Sequence, residues 1–91
     1  MTTKKDSWFV YILRCADETL YTGIAKDVEK RLQQHNTDDK AGAKYTRSRR
    51  PVALLYSESY GSRSEASRRE YQVKRMTRKE KLILIGEACE S

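Results

Sequence analysis

Apolar and polar positions along the chain follow two periods, and each period marks out its own elements. Trp8-Phe9-Val10-Tyr11-Ile12-Leu13 is an unbroken apolar, aromatic and β-branched run. It is too short for a helix and reads as a strand buried on both faces. Ala16-Asp17-Glu18 supplies a turn, and Thr19 to Ile24 reads as the returning strand of a hairpin. An odd number of loop residues puts Tyr11 and Tyr21 on one face of the sheet, whereas a two-residue loop puts them on opposite faces. Gly23 near the strand end points to a bulge or to close approach by another backbone.

The period then lengthens. Asp27 suits an N-cap and Glu29 the positive end of a helix, which the pattern extends from about Val28 to His35. Val28, Leu32 and His35 share a stripe, with Arg31 beside His35 at i, i+4. Asn36 to Ala43 is a polar connection containing Gly42. Lys44 to Arg50 reads as a basic loop with one aromatic, Tyr45, closed by Pro51. Val52 to Tyr60 reads as a third strand, with Val52, Leu54 and Tyr56 on one face and Ala53 and Leu55 on the other. Two capping boxes follow, Ser62-Arg63-Ser64-Glu65 and Thr77-Arg78-Lys79-Glu80, each opening a helix. The second of these helices carries Leu82 to Ile85 and is expected to end before Gly86, with a frayed tail. The order β-β-α-β-α-α predicts an α+β domain: a three-stranded antiparallel sheet with helices packed on it, one domain with its core over about residues 8–85.

Charge changes the picture. The 91 residues carry a formal net charge of +6, unevenly spread. Residues 1–39 are net −1, residues 40–81 net +9 and residues 82–91 net −2. A surface of solubilising charge is the plain reading. The clustering favours a polyanion partner, bound through phosphate neutralisation and counterion release. No apolar run approaches the roughly 20 residues of a membrane-spanning helix. No apolar stretch follows the N-terminal lysines, so no signal peptide is expected. Cys15 and Cys89 are far apart and read as reduced cytoplasmic thiols. His35 is the only histidine, which excludes a His-rich metal site.

Among residues that carry chemistry, Glu70 fits its surroundings least, because it lies on the helical stripe of Ala66 and Val73. An inward carboxylate is costly unless it is paired or binds a cation. A salt bridge to Lys74 or Arg31 and a metal ligand are equally good readings on spacing alone. An all-oxygen site with one or two carboxylates and several waters suits Mg²⁺. Tyr11 and Tyr21 are able to position or deprotonate a water, although strand aromatics ordinarily pack. A phenol, with an unperturbed pKa near ~10, needs nearby positive charge to act as a base. Arg31 offers a planar fork for a phosphate, or a surface charge. His35 is open to roles as acid, base, phosphate ligand or structural residue.

Taken together, Phe9-Val10-Tyr11, Tyr21-Thr22-Gly23, Arg31 with His35 four residues later, and Glu70 resemble the motif set of the GIY-YIG nucleases. The likeness runs from about Trp8 to Ile85 and is closest to the small stand-alone bacterial type, UPF0213. The resemblance implies an endonuclease that hydrolyses nucleic-acid phosphodiesters, DNA first, with one Mg²⁺ or Mn²⁺ ion on Glu70. It implies Tyr21 as the usual candidate general base, Tyr11 as a group that places water and phosphate, and Arg31 as the ligand of the scissile phosphate. His35 falls where some members have histidine and others tyrosine. Lys26, Lys44, Tyr45, Arg47, Arg49 and Arg50 are the expected nucleic-acid-binding residues. A cytoplasmic monomer is the expected form. Ile24 stands where several members carry lysine, and no asparagine follows the glutamate helix. These departures favour the alternative of a nucleic-acid-binding module that keeps the fold with little or no cleavage.

Overall fold

The computed structural model describes residues 7–38 and 44–90; the connection around Gly42 and the side chains of Lys44, Tyr45 and Cys89 lie outside the described residues. The elements are β1 (Trp8–Arg14), β2 (Leu20–Ala25), α1 (Val28–Thr37), α2 (Lys44–Arg47), β3 (Ala53–Tyr60), α3 (Arg63–Lys74) and α4 (Arg78–Glu90). The three strands form one antiparallel sheet in the order β2-β1-β3, so the most apolar strand is central. Val10, Tyr11, Ile12 and Leu13 are all buried, as a strand covered on both faces requires.

Alternation divides the core between the two faces. Tyr11 and Leu13 point to one face, where Cys15, Ala25 and Val52 join them under Tyr21, Val28 and Leu32. Val10 and Ile12 point to the other, against Ala66 and Val73 of α3 and Leu84 and Ile85 of α4. The stripe on α3 is short, and a carboxylate helps to fix it. Glu58 of β3 accepts from Tyr56, from Tyr60 Oη (2.6 Å) and from Nε and Nη2 of Arg69 (2.9 and 3.1 Å). Burial pushes the Glu58 carboxyl up, but these donors outweigh it and hold the group below the usual carboxylate range.

The caps form where the sequence places them. Asp27 accepts from Lys30 N (3.0 Å) at the start of α1, and Ser62 Oγ accepts from Glu65 N (3.2 Å) at the start of α3. The box at α4 is reciprocal: Thr77 Oγ1 accepts from Glu80 N, and Glu80 accepts from Thr77 N. At the far end of α1, the Asn36 amide pairs with both backbone groups of Val52 (2.7 and 3.1 Å), which ties the helix to the entry of β3.

Four expectations need correction. The basic segment is not all loop, because Lys44–Arg47 forms one helical turn, continued by an Arg49 N–H donating to Thr46 O (3.0 Å). The third strand does not alternate throughout. Ile12 faces Tyr56 but Leu13 faces Leu54, so a bulge at Leu55 turns Leu54 and Tyr56 to opposite faces. The last helix runs through Gly86 to Glu90. One helical glycine costs about 1 kcal/mol relative to alanine, too little to end a helix that has formers on both sides. Gly23 marks neither a bulge nor another backbone; what approaches it is a side chain.

Candidate active site

The hairpin sets the geometry. Five residues, 15–19, separate the paired ends Arg14 and Leu20, and the register opposes Tyr11 to Gly23 and Leu13 to Tyr21. Tyr11 and Tyr21 therefore share a face, with ring centroids 6.4 Å apart. The tip of Tyr11 lies across Gly23, where a Cβ would stand 2.6 Å from its hydroxyl and 2.8 Å from Cζ. Glycine is required at this position for that close approach. Its lack of a side chain lets a central-strand phenol reach over the edge strand.

α1 delivers the next two groups from one face of the helix. His35 is fully buried, and its Nε2 lies 2.9 Å from Tyr11 Oη. Its Nδ1 lies 2.8 Å from Thr46 Oγ1, also fully buried, and its backbone oxygen accepts from Arg50 Nε (2.6 Å). The Tyr21 ring meets the imidazole edge-on at 5.2 Å. Burial, reinforced by the charges of Arg31 and Arg50, pushes the His35 pKa down to about 4, so the ring is neutral near neutral pH. Arg31 is half-buried, donates from Nη1 to Gln34 (3.0 Å) and hydrogen-bonds the Tyr11 hydroxyl.

Glu70 arrives from α3, on the opposite side of the sheet. It is partly exposed (22%) and pairs with Lys74 at 3.2 Å. Its charge is the weakest of the influences felt at the Tyr11 hydroxyl. Burial first, then the neighbouring Tyr21 and Glu70, push Tyr11 up to about 12 against the opposing pull of Arg31. Tyr11 is therefore a neutral hydrogen-bonding phenol.

Tyr11, Tyr21, Arg31 and His35 thus come together around one hydroxyl, while Glu70 stands on α3 beyond the sheet and acts on that hydroxyl only through its charge. The basic segment does not act as a single group. Lys44, Tyr45 and Arg47 lie in α2, where Arg47 is exposed, whereas Arg49 pairs with Asp17 (3.0 Å) and Arg50 supports His35. Lys26 stands apart, with its ammonium over the Trp8 ring at 5.5 Å. Thr46 is the residue that the sequence did not disclose. Within a basic stretch it carries no signal of its own, and only the fold brings it behind His35.

A cation has a fit here. Glu70 offers a partly accessible carboxylate whose partner, Lys74, is itself half exposed. Among the described residues no group of three His, Cys, Asp or Glu side chains could hold a metal by itself. The donor set therefore suits a hard ion that keeps most of its waters.

The GIY-YIG catalytic domain model matches residues 7–82. This chain belongs to the GIY-YIG family. It is 56% identical over 82 residues to a UPF0213 protein of Staphylococcus aureus, covering 90% of this chain and 98% of that one. It is 53% identical over 87 residues to a UPF0213 protein of Desulfotalea psychrophila, covering 93% and 78%. Among solved structures, a protein from E. faecalis superposes with a TM-score of 0.66 at 38% identity, covering 96% of this chain and 91% of that one. A UPF0213 protein from Bacillus halodurans superposes at 0.56 with 41% identity, covering 88% and 83%. The GIY-YIG domain points to a nuclease family. Among the described residues no helix is long and apolar enough to cross a membrane.

Proposed function

We propose that this GIY-YIG chain is a metal-dependent endonuclease that hydrolyses nucleic-acid phosphodiesters, with DNA as the first substrate to test. The reading is carried by one observation: two tyrosines, an arginine and a histidine from three elements meet around the Tyr11 hydroxyl over Gly23, with the charge of the Glu70 carboxylate felt there from a fourth. Phosphodiester hydrolysis needs a positioned water, charge neutralisation at phosphorus and a stabilised leaving oxygen, all within one small volume.

The residues divide this work. Arg31 faces the Tyr11 hydroxyl and offers its fork to a non-bridging phosphate oxygen. Tyr11, neutral and held by His35, orients the attacking water by accepting from it. Tyr21 lies beside it on the same face and is the candidate acceptor of the water's proton. His35 is buried behind Tyr11 and works as a positioning residue, with no direct path to substrate. Glu70 is the one protein ligand assigned to Mg²⁺ or Mn²⁺; the bound ion supplies positive charge at the phosphoryl and leaving oxygens. The exposed cations, Arg47 among them, attract the backbone. The reading places the protein with nucleic acid in the cytoplasm, as a monomer.

A nucleic-acid-binding module with little cleavage is the second reading. It is favoured by Ile24, which is committed to the apolar cluster of Val10 and Ile12, and by the Glu70–Lys74 pair. Cleavage of structured DNAs and RNAs with Mg²⁺ or Mn²⁺ separates the two readings. Glu70→Gln keeps shape and removes charge, so the fold is expected to survive while cleavage falls by orders of magnitude. Undiminished cleavage in that variant, or wild-type cleavage indifferent to EDTA, overturns the metal assignment. Binding without metal-dependent nicking establishes the second reading.

A further inference from the structure

Two cations share one tryptophan. Lys26 Nζ lies 5.5 Å, and Arg63 Cζ 5.6 Å, from the ring centroid of Trp8. Each contact is attractive by itself, since the ring face is electron-rich. Together they gather two like charges on one ring, and among the described residues neither cation has an ion-pair partner. An anion bound at this end of the sheet would neutralise them.

The position of this pair is what gives it meaning. α3 runs back along β2: Arg63 at its start shares the Trp8 ring with Lys26, just past the end of β2, while Val73 near its end joins the cluster that holds Leu20. Arg63 and Glu70 are seven residues apart, two turns on one flank of the helix, or about 10 Å. At the other end of β2 a cleft of about 240 Å³ is lined by Thr19, Leu20, Arg78 and Lys81. Arg78 is held there by donating to Glu18 O (2.5 Å). The seam between β2 and the helices α3 and α4 beside it therefore has two cations at each end, with Gly23 on the strand and Glu70 on α3 between them.

We infer that this seam is the track for one nucleic-acid backbone, with Lys26 and Arg63 on Trp8 holding a phosphate on one side of the reacting position and Arg78 and Lys81 holding a phosphate on the other. The inference rests on the nuclease reading and adds its substrate path. β2 has six residues, and a strand of that length spans about 20 Å at ~3.3 Å per residue. That span matches roughly six phosphates along one strand of a duplex, at about 3.4 Å of axis each. A membrane headgroup layer or an acidic protein has no reason to bring negative charge to Glu70 at the centre. A phosphodiester bridged to that carboxylate by a cation has one.

Trp8 is the only tryptophan of the chain, so its emission reports on one end of the track. A fluorescein-labelled 20-base-pair duplex is titrated with the full chain in Ca²⁺, following both anisotropy and Trp8 emission. Lys26→Gln with Arg63→Gln, and Arg78→Gln with Lys81→Gln, keep part of each side-chain stem and remove two charges. Each pair is expected to weaken binding roughly tenfold and to lower the salt slope by about two. Lys30→Gln with Arg68→Gln, two exposed cations off the track, should leave the slope unchanged. Wild-type Trp8 emission should change on binding, and the change should vanish in the Lys26, Arg63 variant. Melting curves confirm that each variant folds. Tight binding with unchanged Trp8 emission and unchanged slopes in both pairs overturns the track alone. No binding of any duplex or single strand removes the nuclease reading with it.

Discussion

A single imidazole connects the candidate chemistry to the core. His35 is fully buried and neutral, and Arg31, Arg50, Tyr11 and Tyr21 all face it. Its pKa in the folded chain is about 4, below the ordinary 6.5 it recovers on unfolding. Above pH 6.5 neither state takes up the proton. As pH falls below 6.5 only the unfolded chain binds it, so stability declines until about pH 4 and then levels off with respect to this group. The loss is up to roughly 3 kcal/mol. Thermal melts between pH 7.5 and 4 should show it, and His35→Gln should flatten that part of the profile; an equally steep profile in the variant assigns the effect to carboxylates. Thr46 gives a second test. Arg31 already donates to the Tyr11 oxygen, so the phenolic proton is best placed on His35 Nε2, which leaves Nδ1–H for Thr46. Thr46→Val removes that acceptor at constant shape and should cost about 1–3 kcal/mol. It should also lower cleavage and disturb the ¹⁵N tautomer signature of His35, with Thr46→Ser restoring both. An unchanged imidazole spectrum in Thr46→Val would show that the hydroxyl does not set the tautomer.

Among the elements, the β1–β2 hairpin builds the site, and only part of it was legible in the sequence. The run from Trp8 to Leu13 could be read because a strand buried on both faces needs no polar position. The shared face of Tyr11 and Tyr21 stayed open, since it turns on whether the loop has an odd number of residues, and strand ends blur by a residue or two. Gly23 was noticed for the wrong reason. Glycine in a strand says that something approaches closely, but not that the visitor is a phenol from the neighbouring strand. The bulge in β3 left no trace either, because pairing with β1 sets it and Val52 to Tyr60 alternates well enough without one. The packing at Gly23 has a direct consequence. Gly23→Ala places a methyl 2.6 Å from the Tyr11 hydroxyl, so the ring must move. The cost is expected at about 1–3 kcal/mol, from overpacking against a buried ring. Cleavage should fall further than stability does, since the ring that moves carries the hydroxyl to which His35 and Arg31 are bonded. Chemical denaturation alongside single-turnover rates would separate the two, and an alanine variant with full activity would show that Tyr11 need not occupy this position.

For the whole molecule, charge is segregated along the sequence, but the fold assigns the cations different work. The net +9 of residues 40–81 reads in the sequence as one basic face. In the folded chain Arg69 is consumed by Glu58, Arg49 by Asp17, and Arg50 by the backbone oxygen of His35, while Arg47 remains exposed. Composition could not separate these roles, because the partners lie 11, 32 and 15 residues away in the chain. The arginines of residues 47–50 should therefore respond differently to neutralisation. Arg50→Ala removes a charged donor from the half-buried backbone carbonyl of His35, the residue that holds Tyr11, and a charge-assisted bond of this kind is worth about 1.5–3 kcal/mol. It also takes away one of the two positive charges that keep His35 neutral, so the pKa of the imidazole should rise in the variant. Arg47→Ala touches neither and should melt with the wild type while weakening nucleic-acid binding and reducing its salt dependence by about one. Arg49→Ala should fall between them, since its pair with Asp17 is solvent-accessible and screened by water. Melting, duplex anisotropy across a salt series and an NMR titration of His35 test the ordering on the same three proteins. Equal loss of binding in all three at unchanged stability would return the segment to one uniform binding surface. A fall in stability confined to Arg50→Ala would make that residue part of the scaffold that holds the site.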